Sequence, residues 1–188
     1  MINKEMIVLQ KKLDTPNVNY EKLFLDTAIK LINEYSLEIE NCTYQLIELE
    51  FYYYDKDKHA DPYVHGVKEQ QKTGTFYVHK KNGTYGGIDI TFYNEDKEIY
   101  GGILIRGIRN SKTNEFYSGP NIVKNEISRH LDAINNYEAL QSVINKNLYL
   151  KKIDSINTKT KIYFSTRIGL SPLPEDYYTK ENYIYKMY

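Results

Sequence analysis

Residues 43–54 read TYQLIELEFYYY, a run dense in β-branched and aromatic side chains whose apolar positions alternate in part. That composition and period predict a strand. Its middle carries two acids. Alternation puts Glu48 and Glu50 on one face and Ile47, Leu49 and Phe51 on the other. Three more strand-like runs follow, 74–80 (GTFYVHK), 86–93 (GGIDITFY) and 100–108 (YGGILIRGI). Asn82-Gly83 separates the first two and Asn94-Glu95-Asp96 the next two, which predicts hairpins and an antiparallel or mixed sheet. On the N-terminal side, residues 20–35 place Leu23, Phe24, Ala28, Leu31 and Ile32 on one helical face, with Asn19 as the N-cap. Residues 119–144 open with Gly119-Pro120-Asn121 and read as one or two helices, since proline is tolerated at a helix start. Residues 147–152 and 161–166 return to strand. Residues 1–18 are read as an N-terminal extension, and 167–188, with Pro172, Pro174 and five tyrosines, as a segment wrapping the surface. The sum is one α+β domain over 1–188, a curved antiparallel or mixed sheet flanked by helices.

Composition narrows the function classes. The 188 residues are 41% hydrophobic and 27% charged, enough to build a core and too apolar for wholesale disorder. The single cysteine, Cys42, excludes a disulfide framework and a zinc site built on several thiolates. Lys+Arg and Asp+Glu both number 25, so nucleic-acid binding would have to come from an uneven distribution of charge. Residues 26–57 hold eight acids against two lysines, and 146–167 hold five lysines and Arg167 against one aspartate. Arg109, Lys112, Lys124 and Arg129 extend the basic side into a candidate phosphate-contacting face, the competing reading being an ordinary solvated surface. No apolar run reaches membrane-spanning length and MINKEMIVLQKK lacks a signal-peptide pattern, so no membrane partner and a cytoplasmic location are expected.

Several residues stand out chemically. Glu50 in an apolar strand is costly unless paired, hydrated or functional, and a carboxylate beside a pocket can act as general base on water. Arg106 ends the apolar run Ile103-Leu104-Ile105 and requires a carboxylate partner if buried. The two would meet across a shared pocket, either around a water or as a structural ion pair. Tyr52, Tyr77 and His79 are flat groups on the same strands, suited to sandwiching a nucleobase at about 1–3 kcal/mol per stacked base, or simply to filling a core. His59, Asp61 and His65 are ligand-type residues, but their spacing matches no metal signature; Asp61-Pro62 reads instead as a turn presenting His65. Gly86-Gly87 and Gly101-Gly102 match no phosphate loop and mark bulges or close backbone approach.

In order along the chain, these segments resemble the alkylpurine (3-methyladenine) DNA glycosylase family of the α/β curved-sheet type. The likeness runs through the helix Leu25-Asp26-Thr27-Ala28-Ile29-Lys30-Leu31-Ile32 and through Glu48-Leu49-Glu50-Phe51-Tyr52, similar to the family's Glu-Thr-Glu-Ala-Tyr. Asp61-Pro62-Tyr63-Val64-His65 is similar to its Asp-Pro-x-x-His, Tyr77-Val78-His79 to its Tyr-Val-Tyr, and Ile103-Leu104-Ile105-Arg106 to its apolar strand ending in arginine. Gly119-Pro120, Leu148-Tyr149-Leu150 and Arg167-Ile168-Gly169 follow in the family's order. It covers about residues 20–185.

The resemblance implies a monofunctional N-glycosylase of base excision repair. A modified purine is flipped out of the helix. Glu50 activates a water for attack on the sugar C1′, and Arg106 orients both. Tyr52 and His79 sandwich the base, Tyr77 lies beside it, the main chain at His65 bonds its edge, and Asp89 stands where the family has asparagine. Lys80, Lys81, Asn82, Arg109 and Arg167 are the implied nucleic-acid contacts. No metal or other cofactor is implied. The partner is DNA, as damaged duplex or single strand, or a nucleotide, and a monomer is expected. The chain departs from the family where its wedge tyrosine precedes a glycine: Asn82 stands there, or the alignment slips to Tyr85. His79 replaces a stacking tyrosine, Asp89 replaces asparagine, and Gln70-Gln71-Lys72-Thr73 replaces a basic Arg-Asn segment. These departures leave a second reading open, a non-catalytic nucleotide or single-strand binding module on the same fold.

Overall fold

A bulge in the acid-bearing strand decides which of its side chains meet the core. In the structure, a computed structural model that describes residues 2–79, 86–93, 98–134, 136–153, 162–167 and 186–187, that strand is β2 (Cys42–Asp55), paired antiparallel with β6 (Ile99–Asn110). The register shifts on either side of Glu48. Before the shift Tyr44 and Leu46 are buried, and after it Leu49, Phe51 and Tyr53 are, each at most 1% exposed. The bulge therefore flips the parity of the strand, which is why its sequence alternates only in part.

Around this pair the sheet runs β4 (Thr73–Val78), β5 (Ile88–Phe92), β6, β2, β1 (Tyr35–Ile39), β8 (Leu148–Lys152). Every pairing among the described residues is antiparallel. The result is the expected α+β architecture, with the sheet curled into a half-barrel. Short strands complete the edges: β3 (His59–Ala60) on β2, β7 (Phe116–Ser118) on β6, and β9 (Phe164–Ser165) with β10 (Lys186–Met187). β10 pairs with β2 at Leu49 and Glu50, so the chain end returns to the sheet beside the acidic residue rather than only wrapping the surface. The turns at 82–83 and 94–96 lie outside the described residues.

Helices cover one face. α2 (Tyr20–Glu34) buries Leu23, Phe24, Ala28, Leu31 and Ile32, and the Asn19 side chain caps it by accepting from the Lys22 amide at 2.9 Å. Phe24 stacks on Phe51 with ring centres 4.8 Å apart. Residues 1–18, expected as an extension, contain α1 (Ile2–Leu13), whose Met6, Leu9 and Leu13 are core residues at most 2% exposed. Residues 119–144 form two helices, α3 (Pro120–His130) and α4 (Tyr137–Asn147). α4 closes the β4 edge with side-chain amides: Asn145 accepts from the Phe76 amide at 2.6 Å and Gln141 from the Val78 amide at 2.7 Å. Backbone groups that would otherwise template aggregation are thereby satisfied. No helix among the described residues is long and apolar enough to cross a membrane.

Candidate active site

The face of the sheet opposite the main core carries the polar residues. Glu50 lies opposite Leu104, Leu104 opposite Asp89, and Asp89 opposite Tyr77, one row across four strands. The next row holds Tyr52, Gly102 and Thr91. Opposed residues share a face, so strand register alone gathers Glu50, Tyr52, Tyr77 and Asp89. Residues between them in sequence, among them Leu49, Phe51, Ile90, Ile103 and Ile105, are fully buried in the core.

Glu50 has no exposed surface. Its Oε2 accepts from the Tyr52 hydroxyl at 2.9 Å and from Arg106 Nη1 at 3.0 Å. The Arg106 Nε donates to Glu48 Oε1 at 3.3 Å, so the two acids share one guanidinium and stand on one face as their spacing predicts. Burial alone would lower the Arg106 pKa, but the charge of Glu50, then that of Glu48, outweighs it and raises it. Burial, reinforced by the Glu50 charge, also pushes the Tyr52 phenol above its ordinary range, which keeps it a hydrogen-bond donor. The remaining oxygen, Glu50 Oε1, is buried and has no hydrogen-bond partner among the described residues. Such an atom is a place for a ligand or a water.

Beside this carboxylate stands a group of rings. His65 and His79 are 4.7 Å apart, Tyr77 and His79 5.2 Å, and His65 Nδ1 is 3.1 Å from the Tyr77 hydroxyl. His79 Nε2 also sits 2.7 Å from Asp89 Oδ1. Gln70, on the short 3-10 turn Lys68–Gln71, donates its Nε2 to Asp89 Oδ2 at 3.4 Å. Gly102 lets Asp89 lie flat against the sheet, for a Cβ there would come within 2.6 Å of Asp89 Oδ2. Its doublet with Gly101 is thus a close approach, as its composition predicts.

No family model matches the chain. Uncharacterized protein L759 of Acanthamoeba polyphaga mimivirus is 36% identical to it over an alignment that covers 88% of this chain and 86% of the viral protein. The chain belongs to the L759 family.

In this member of the L759 family two expected phosphate contacts have other partners. The Arg167 side chain is fully buried: Nη1 and Nη2 reach the two Asp61 oxygens at 2.7 and 3.1 Å, and Nη1 also reaches the Phe51 carbonyl at 3.3 Å. Its guanidinium lies 4.6 Å from the Tyr52 ring centre and 5.3 Å from that of Tyr63. It holds Tyr52 in place and offers nothing to a phosphate. Arg109 is half-buried, donating to Gln45 Oε1 and lying over Phe116. Lys80, Lys81 and Asn82 lie outside the described residues.

Asp61 does build the expected turn, accepting from the Tyr63 amide at 3.0 Å, and His65 follows it exposed to solvent. His59 turns away: it is buried, with Nδ1 2.8 Å from the Tyr53 carbonyl. His59 and His65 thus point to different neighbours, the Tyr53 carbonyl and the Tyr77 hydroxyl. Sequence reasoning missed Gln70 and Tyr63 as site residues, because nothing in their spacing marks residues brought to the sheet by a loop.

Proposed function

We propose that the chain is a monofunctional N-glycosyl hydrolase acting on a modified purine in DNA. The observation that carries the reading is Glu50: a wholly buried carboxylate with one oxygen held by Tyr52 and Arg106 and the other unpartnered among the described residues, beside a group of flat side chains.

The chemistry follows from that arrangement. A water bound at Glu50 Oε1 gives its proton to the carboxylate as its oxygen bonds to the sugar C1′. The bond from C1′ to the base nitrogen breaks, and the base leaves with the electron pair. An alkylated purine already carries positive charge, so departure neutralises it and no separate acid is needed. Arg106 fixes the carboxylate and, together with Glu48, leaves the site with excess negative charge that favours the developing oxocarbenium ion. Tyr52 and the His65, Tyr77 and His79 rings supply stacking surfaces for the heterocycle.

The test is incubation of the full chain with duplex and single-stranded oligonucleotides carrying alkylated purines, followed by alkaline cleavage at abasic sites. Strand cleavage at the lesion with wild type and its loss in Glu50→Gln support the reading; no cleavage of any substrate overturns it. Tight binding that Glu50→Ala leaves unchanged, without base release, would instead mark a binding module.

A further inference from the structure

His79 and Asp89 form a pair that the hydrolysis described above leaves idle. His79 follows β4, and its amide donates to the Gly87 carbonyl at 2.9 Å. Its Nε2 lies 2.7 Å from Asp89 Oδ1. The two are nonetheless out of line for an N–H···O bond, so Nε2 has no hydrogen-bond partner among the described residues. Asp89 is 1% exposed, and its other oxygen accepts from Gln70 Nε2 at 3.4 Å, which fixes the carboxylate. A fixed carboxylate beside an imidazole orients the ring and offsets the charge it takes on with a proton. The His79 side chain keeps 17% of its surface open, so it exchanges protons with solvent.

Register puts this pair at the other end of the site from Glu50. Glu50, Leu104 and Asp89 stand in one row on β2, β6 and β5. Leu104 thus separates the two acids, whose backbones are two strand spacings, about 10 Å, apart. Hydrolases that place a base on the water and an acid on the leaving group hold the two on opposite sides of the bond that breaks, roughly 6.5–9.5 Å from each other. A cationic lesion requires only the base. An uncharged purine would leave as an anion unless it gains a proton. We propose that His79 supplies that proton and extends the reaction to uncharged purine lesions; the proposal rests on the hydrolase reading of the same site. The Nε2 proton passes to a ring nitrogen of the base as the C1′–N9 bond breaks and its electron pair moves into the purine. The base leaves neutral, a neutral imidazole stays against Asp89, and solvent returns its proton. Asp89 acts through His79, as a positioning residue.

The experiment compares single-turnover base release from matched oligonucleotides carrying hypoxanthine, which is uncharged, or 7-methylguanine, which is cationic. Wild type is expected to release both. His79→Phe, which keeps a flat ring, is expected to lower the ratio of the hypoxanthine rate to the 7-methylguanine rate by at least about 10²-fold. Asp89→Asn, close in shape without the charge, is expected to lower the same ratio by at least about tenfold, and decides the matter if His79→Phe does not fold. The ratio cancels losses common to both bases, so a merely structural role for either residue leaves it in place. A ratio changed by less than about threefold in the folded variants, or a wild type that releases 7-methylguanine alone, overturns the proposal and leaves the hydrolase reading standing. Release of neither base overturns both.

Discussion

Arg106 Nη1 lies 3.0 Å from Oε2 of Glu50, a carboxylate with no exposed surface. The contact joins the two strands at the centre of the sheet, one row from the register pair Glu50–Leu104. Two acids and one guanidinium, nearly dry, are poor stabilisers by comparison with apolar packing. Their place in the middle of a largely apolar strand pair is what motivates the proposed chemistry.

Breaking that contact from one side has a definite cost. Arg106→Met leaves Glu50 buried without its cation and is expected to lower unfolding free energy by about 3–5 kcal/mol in urea titrations. Adding Glu50→Gln to Arg106→Met should recover a large part of the loss. A single variant as stable as wild type would mean that Glu50 is hydrated in solution.

Asp61 and Arg167 form a second dry pair that supports the first. Arg167→Met is expected to cost about 3–5 kcal/mol. Arg167→Lys should not rescue it, because an ammonium cannot make the two-pronged contact to Asp61 while lying flat on Tyr52. Calorimetric melting of both variants checks this, and a lysine variant melting with wild type contradicts it.

Acid weakens the fold in a stated order. Burial holds the His59 imidazole below its ordinary value of 6.5. The unfolded chain therefore takes up that proton first, so the contribution of neutral His59 is complete above about pH 6.5 and is lost as pH falls toward the folded value. Glu5 follows at lower pH. Burial raises its pKa, but the hydrogen bonds from Lys30 and Tyr35 outweigh this and hold it below 4.5, so its contribution is present above that value and lost beneath it. Urea midpoints should fall between pH 7 and pH 5.5 in wild type and fall less steeply in His59→Gln. Parallel slopes would remove His59 from the account.

The fold and the buried Glu50–Arg106 pair were legible to different depths. The α2 face was readable because Leu23, Phe24, Ala28, Leu31 and Ile32 keep a 3.6-residue period with a capping asparagine before it. α1 carried the same signal in the spacing of Met6, Leu9 and Leu13, diluted by exposed Ile7 and Val8. β1 was hidden because α2 runs straight into it at Tyr35 with no glycine or proline between. Glu48, Glu50 and Arg106 announced themselves as charges in apolar strands. The burial of Arg167 did not, since its partner Asp61 is 106 residues away and only folding brings them together. Gln70 is likewise a loop residue whose role depends on which strand the loop meets.

In the proposed function Glu50 drives hydrolysis of a glycosidic bond. Chromatographic detection of the free base under single-turnover conditions, with wild type and Glu50→Gln on the same alkylated oligonucleotide, isolates that step. Intact free purine and an abasic but unbroken strand are expected with wild type, and a rate lower by about 10²- to 10⁴-fold in the variant. Equal rates for the two proteins, or no free purine from wild type on any alkylated strand, would contradict it.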